Sequence, residues 1–195
     1  MRSPHMFDSR PVTKAILVQL LKGRMNAPRF FLLGRTLTVG PFRNSLKSRF
    51  PDELIDMAAL PVWIYLGLRQ RLGQEQAFEI MRVATLSGGI AQWNAQYETV
   101  DVRRTFENFC DEEIKASRSG FTRWNTLDIV ERTAPRMTLK VTRCRFHEFC
   151  VAAGAPELTP VVCQIDNATF NSYLPDRLVF DRGGPGRRIS DGADE

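Results

Sequence analysis

Residues 137–142, Met137-Thr138-Leu139-Lys140-Val141-Thr142, alternate apolar and polar side chains without a break. Successive side chains of an extended chain point to opposite faces, so this is the pattern of a half-buried antiparallel strand. A helix repeats its apolar positions every three or four residues instead, and that period governs most of the chain upstream. Val12 to Leu21 has helical spacing and stops at Gly23, a residue type suited to a C-cap. Pro51-Asp52-Glu53 opens a long helical block with acids in its first turn, where the helix dipole favours them. The block continues to Leu72, with a kink or break expected at Pro61. Gln74 to Gln92 is a second helix, and its Gly88-Gly89 pair permits a bend or a close helix contact. Asp101 to Ser117 is a third, with Asp101 as cap and Val102, Phe106, Phe109, Cys110 and Ile114 as one apolar stripe. Phe30 to Val39 is apolar and carries Gly34; its period does not decide between strand and helix.

After Gly120 the helical period gives way to a segment rich in Thr and aromatics, followed by the alternating strand. Arg145 to Ala153 reads as a short helix closing at Gly154. Thr159-Pro160 starts another that runs through Tyr173, with Pro160 in the tolerated first position. Arg177 to Arg182 and Arg187 to Ser190 read as two strands joined by Gly183-Gly184-Pro185-Gly186. Helices first, then an antiparallel sheet with helices packed on one face, is an α+β layout.

With 195 residues, 43% hydrophobic and 25% charged, the composition is that of a globular chain and not a disordered one. No apolar run approaches the ~18 residues that a membrane helix needs; the richest stretch, Met57 to Leu68, contains Pro61 and ends in Arg69 and Arg71. The net charge of +5 is unevenly placed, because residues 1–50 hold ten Lys/Arg and one acid while residues 51–195 hold the other seventeen bases and twenty-one acids. The chain therefore divides into a basic N-terminal arm, 1–50, and a mildly acidic body, 51–195. Such an arm can approach nucleic acid or anionic lipid, and an Arg-rich, acid-poor start is also the composition of a transit segment. The bases are interleaved with core-type residues and form no run, so terminal helices with basic polar faces are the simpler reading and a nucleic-acid partner is not expected. Four cysteines, Cys110, Cys144, Cys150 and Cys163, fall without a Cys-x-x-Cys pair. A chain of this size needs no disulfide staple, which points to reduced thiols and a cytoplasmic location.

Several short elements occur in a telling order: Val141-Thr142-Arg143-Cys144-Arg145, Phe146-His147-Glu148-Phe149, Gly154, Glu157-Leu158, Cys163-Gln164-Ile165-Asp166, Phe180-Asp181-Arg182 and Ile189-Ser190-Asp191-Gly192-Ala193-Asp194. This order, from Thr142 to Glu195, resembles the L-2-amino-thiazoline-4-carboxylic acid hydrolase family, and Leu72-Gly73-Gln74-Glu75-Gln76-Ala77 is similar to a helix connection found there. The resemblance implies hydrolytic opening of a small cyclic amidine, the thiazoline ring, to N-carbamoyl-cysteine. It also implies a terminal Gly-x-x-x-Cys-Asp-Phe strand, before whose Cys the sequence ends at Glu195. The layout further resembles 4-vinyl-reductase-like ligand-binding domains, which implies the alternative of a non-catalytic small-ligand-binding or sensor domain.

Opening an amino-thiazoline requires water or a nucleophile at the carbon between nitrogen and sulfur, then departure of the sulfur. A carboxylate suits the cationic amidine, and an Arg suits the substrate carboxylate. Asp166 is three residues after Cys163, which places both on one helix face. Asp166 is read as base or amidinium partner, or else as the partner of a structural Arg; Cys163 as nucleophile or else as core. Arg182, beside the Gly-rich turn, is the anchor for a substrate carboxylate, or else an exposed residue pairing with Asp181 or Asp194. Cys144 and His147 complete the substrate-binding set, or else His147 is an exposed histidine on a polar helix turn. With Cys163 they also form a potential zinc set, although their spacing is not that of a known finger, and no cofactor is expected. Gly183 to Gly186 is no phosphate loop, since neither a Lys-Ser/Thr nor a helix follows it. Cys110 and Cys150 lie on apolar helix faces and read as core. The expected partner is a small-molecule substrate, and a homo-oligomer is compatible with the composition.

Overall fold

In the computed structural model, which describes residues 10–99, 104–120, 122–182 and 186–192, the chain begins with α1 (Arg10–Leu21), α2 (Pro28–Leu37) and α3 (Val39–Asn44). Two long helices follow, α4 (Asp52–Leu72) and α5 (Gln74–Thr99), then α6 (Phe106–Ser119), the hairpin β1 (Thr126–Arg132) and β2 (Met137–Arg143), α7 (Arg145–Ala152) and α8 (Thr159–Tyr173). The class is α+β, with most of the mass in helices.

The segment from Phe30 to Val39 is helical, split between α2 and α3 at Thr38. Its inward residues Phe31 and Leu32 are buried against α4, and that packing decides what the local pattern left open. α4 runs through Pro61 without a break, so of the kink or break expected there the break does not occur. Pro61 is exposed, while Ala58, Ala59, Val62, Ile64 and Tyr65 around it are buried. The apolar burial on both sides of Pro61 outweighs the one backbone hydrogen bond lost at the proline. Gly73, at φ 83°, ends α4 in a backbone region that favours glycine. α6 starts later than expected: Thr105 caps it by accepting a hydrogen bond from the Asn108 N–H at 3.1 Å, and Asp101 lies outside the described residues.

One core gathers Leu17, Leu21, Phe31, Leu32, Leu46 and Phe50 from the first fifty residues with the inner faces of α4, α5 and α7. The basic N-terminal segment thus contributes side chains to the same core as the body. A second, smaller cluster holds Phe109, Cys110, Phe170, Tyr173 and Leu178, built on aromatic edges such as Phe109 to Phe170 at 5.0 Å. α5 and α8 cross closely at Gly89, where an added Cβ would sit 2.3 Å from Ile165 Cδ1. Of the bend or close contact expected from the Gly88-Gly89 pair, Gly89 makes the close contact.

Among the described residues the sheet is a two-stranded antiparallel hairpin, with Leu127 opposite Val141, Ile129 opposite Leu139, and an irregularity between Ile129 and Glu131. Arg177 to Arg182 and Arg187 to Ser190, expected as further strands, are not strands among the described residues. The first lies along α8, where the Phe180 N–H donates to Asn171 Oδ1 at 2.9 Å instead of to a neighbouring strand. The second contains a single 3-10 turn, Ile189–Asp191, and Gly183 to Pro185 of the intended connection lie outside the described residues. The helices pack chiefly on one another, with Trp124 and Met137 tying the hairpin to the two clusters. No helix among the described residues is long and apolar enough to cross a membrane.

Candidate functional site

α8 carries two of the expected residues. Pro160 sits in its first turn, where a missing N–H is tolerated, and from there Cys163 and Asp166 follow three apart on one face. Asp166, Asn167 and Asn171 form a polar edge of the same helix that holds the segment after Leu178. Arg182 Nη2 donates to Asp166 Oδ2, Arg182 Nε donates to Asn167 Oδ1 at 3.3 Å, and the guanidinium lies 5.1 Å from the centre of the Phe180 ring. Asp166 and Arg182, expected to take opposite ends of a substrate, are therefore each other's partner. Of the alternatives considered for Arg182, an ion pair with Asp181 is not found, and Asp194 lies outside the described residues. The pair is partly open to solvent, with 29% and 27% of the two side chains exposed.

Cys163 belongs to this group. Burial pushes its thiol above the usual value, and the charges of Arg182, Asp166 and Arg188 all act on it, with Cys144 in the same range. Arg188 is itself held by Asp191 Oδ2 at 2.7 Å in the 3-10 turn. Cys144 is the N-cap of α7, its sulfur accepting the His147 N–H at 3.4 Å. Its thiol is also raised by burial, which outweighs the lowering by that hydrogen bond and by Arg182. The His147 ring turns elsewhere: Nδ1 hydrogen-bonds with Oγ1 of the buried Thr159, 3.1 Å away, linking α7 to the first residue of α8. Asp166 and Arg182 are in contact and Cys163 and Cys144 lie within electrostatic range of Arg182, whereas His147 braces α7 against α8. No three of the described His, Cys, Asp and Glu residues are arranged to hold a metal ion. Cys110 and Cys150 are buried, as their apolar helix faces indicate, and burial pushes the Cys150 thiol up to about 12.

One member of the cluster went unnoticed in the sequence. Glu113 on α6 is only 8% exposed, and burial, followed by the charges of Asp166 and Glu112, lifts its carboxyl from 4.5 to about 8. The signal was present: Phe106, Phe109, Cys110 and Glu113 stand at i, i+3, i+4 and i+7, which places the acid on the apolar stripe. Asp166 moves the same way, to about 6, because burial outweighs the pull of Arg182. Asp166 thus meets Arg182 directly and has the Glu113 carboxyl within electrostatic range, one carboxyl protonated near neutrality and the other poised to exchange a proton there. The thiols beside them stay protonated, so neither is an activated nucleophile in this state. Two open clefts on the described surface lie elsewhere, one against Asp111, Ile114 and Arg132, the other against Gln74, Phe78 and Glu157.

Comparisons with curated proteins and with solved structures return no match, so the likeness to 4-vinyl-reductase-like domains rests on the sequence alone. The model of the L-2-amino-thiazoline-4-carboxylic acid hydrolase family matches residues 53–195. That span reaches well upstream of Thr142, where the resemblance in the sequence is clearest. It takes in α4 to α8 and therefore Glu113, Cys144, Cys163, Asp166 and Arg182 together. The chain belongs to the L-2-amino-thiazoline-4-carboxylic acid hydrolase family.

Proposed function

We propose that the protein hydrolyses the thiazoline ring of 2-amino-thiazoline-4-carboxylate, or of a closely related small cyclic amidine, to the N-carbamoyl thiol. One observation carries this reading beyond the family: Asp166 and Arg182 form a partly exposed ion pair whose charges are complementary to a substrate bearing an amidinium and a carboxylate. Such a zwitterion can exchange one internal pair for two new ones. Asp166 takes the amidinium, and Arg182, whose fork has five donors, keeps capacity for the substrate carboxylate beyond its bonds to Asp166 and Asn167.

In this scheme water adds to the ring carbon between nitrogen and sulfur, and its proton passes to Asp166. The carbon–sulfur bond then breaks, the carbonyl of the carbamoyl group forms as the new hydroxyl loses its proton, and the sulfur takes up that proton as a thiol. Asp166 returns its own proton to solvent. A carboxyl near 6 suits this exchange, since a base works best with a proton affinity near the working pH. The protonated Glu113 beside it adds no second negative charge. Cys163, held as a thiol, lines the site in this scheme while water attacks. Cys144 keeps α7 in register beside it.

The test is ring opening by the purified chain, followed by thiol release with the thiazoline carboxylate as substrate. The wild type turns over, and Asp166→Asn lowers kcat/KM by about a hundredfold or more, the scale expected for loss of a general base. No turnover above the uncatalysed rate, or an unimpaired Asp166→Asn, refutes the proposal.

A further inference from the structure

The outer face of α2 is left bare. Phe31 and Leu32 point into the core, while Phe30, Leu33 and Leu37 stand 76%, 53% and 75% exposed at i, i+3 and i+7. Three large apolar side chains on one stripe about 10 Å long are more than scattered surface residues, which are ordinary when single. Their surroundings are cationic. Residues 10–50 contain nine Lys/Arg and no Asp or Glu. Lys22, Arg24 and Arg29, around the start of α2, are exposed and make no ion pair with the described residues. Arg71 of α4 reaches over to the same helix, its guanidinium 4.8 Å from the Phe31 ring centre.

We propose that α2 is a peripheral docking element for an anionic lipid surface, inserting Phe30, Leu33 and Leu37 between headgroups while Lys22, Arg24, Arg29 and Arg71 meet the lipid phosphates. The charge distribution selects this occupant. A second copy packed through the same face would bring two acid-free cationic segments together, and like charges across an interface oppose association. The face is also a convex helix with one narrow stripe, much smaller than the ~800 Å² per partner of a standard protein interface. Lipid requires less area: a few inserted apolar groups and a ring of bases give reversible surface binding without any spanning segment. If the proposed function holds, this would bring a hydrolase of small polar molecules to a membrane surface, with the Asp166–Arg182 pair beside α8 outside the docking stripe.

The test is co-sedimentation of the full chain with vesicles of phosphatidylcholine alone and of phosphatidylcholine with about 30% phosphatidylglycerol. Binding is expected only to the anionic vesicles, and it weakens as salt rises from about 0.05 to 0.5 M. The double variant Phe30→Ser, Leu37→Ser weakens it roughly tenfold or more, because both positions are exposed and their loss removes inserted apolar surface. Arg29→Glu weakens it without touching the stripe. Circular dichroism identical to wild type shows that both variants fold. Equal binding to neutral vesicles, no binding to anionic ones, or anionic binding indifferent to both variants overturns the proposal. Dimerisation in sedimentation velocity that the double variant abolishes, with no vesicle binding, overturns it in favour of a second copy.

Discussion

Replacing Glu113 by Gln flattens the dependence of folding stability on pH between about 5 and 8, and it stabilises the protein at the upper end. The carboxyl has its ordinary value of 4.5 when unfolded and about 8 when folded, because burial on the apolar stripe of α6 and the neighbouring charges of Asp166 and Glu112 disfavour ionisation. Below 4.5 both states hold the proton and the group is neutral in its effect. As pH rises through the window, the unfolded chain releases the proton while the folded chain keeps it, so stability is progressively lost until the folded group also ionises. At ~1.4 kcal/mol per tenfold change, the gap corresponds to roughly 5 kcal/mol. Asp166, lifted from 3.8 to about 6, acts in the same direction, and the two carboxyls titrate as a coupled pair. Urea unfolding of wild type and variant at intervals from pH 5 to 9 reads this directly. The wild type falls by several kcal/mol across the range, by order of magnitude, while the variant falls much less and exceeds the wild type at pH 9. Glu79, Glu148 and Asp191 have lowered values through their arginine partners, so their contributions change only on the acid side and leave this window clear. Parallel curves for the two proteins would refute the burial assigned to Glu113.

Two further substitutions probe α8 and its chemistry. Gly89→Ala places a Cβ 2.3 Å from Ile165 Cδ1 and 2.9 Å from Cγ1. Overpacking there costs about 1–3 kcal/mol, only partly offset by the roughly 0.5–1 kcal/mol gain of alanine over glycine in a helix; urea unfolding should show the loss, and adding Ile165→Val should restore part of it. Cys163→Ala separates water from thiolate attack: with water as the attacking group, kcat/KM stays within about threefold, whereas a nucleophilic Cys163 would lose about a thousandfold. Accumulation of a covalent isothiourea adduct on the Cys163 sulfur during turnover would decide for the thiolate.

How much of this fold can be read from the sequence depends on where each element finds its partners. α8 is legible from Thr159 to Tyr173 because its signals are local: a proline in the first turn and apolar residues at helical spacing. β2 is legible from alternation alone. Its partner β1 is harder, since Leu127, Ile129 and Val130 break strict alternation and the pairing needs an irregularity before Glu131. The segment after Leu178 has the composition of a strand, yet strand formation needs a neighbour, and here Asn171 takes the Phe180 N–H while Asp166 and Asn167 take Arg182. Pro61 errs in the opposite sense, because a breaker rule measures only the lost backbone bond and not the apolar residues buried on either side of it.

The same division explains the site. Cys163 and Asp166 could be grouped because helical spacing joins them, and Arg182 could be named for its chemistry, but their meeting depends on a chain segment folding back along α8. Glu113 was within reach, since an acid at the seventh position of the stripe begun by Phe106 is a local conflict between pattern and residue. Such a conflict has weight when the surroundings do not resolve it. A purely structural Asp166–Arg182 pair would balance its charges one to one, and adding a second, almost buried carboxyl beside it lowers stability at neutral pH. An alanine or leucine on that stripe would pack with Phe109 and Phe170 and carry no such penalty. Two neighbouring carboxyls of separated proton affinity, one of them paired with an arginine, form an arrangement by which a site keeps one group protonated while its neighbour exchanges protons. The placement of Glu113 on α6 therefore argues for chemistry at this junction more strongly than Cys163 does, since packing alone explains a buried cysteine and does not explain a buried acid.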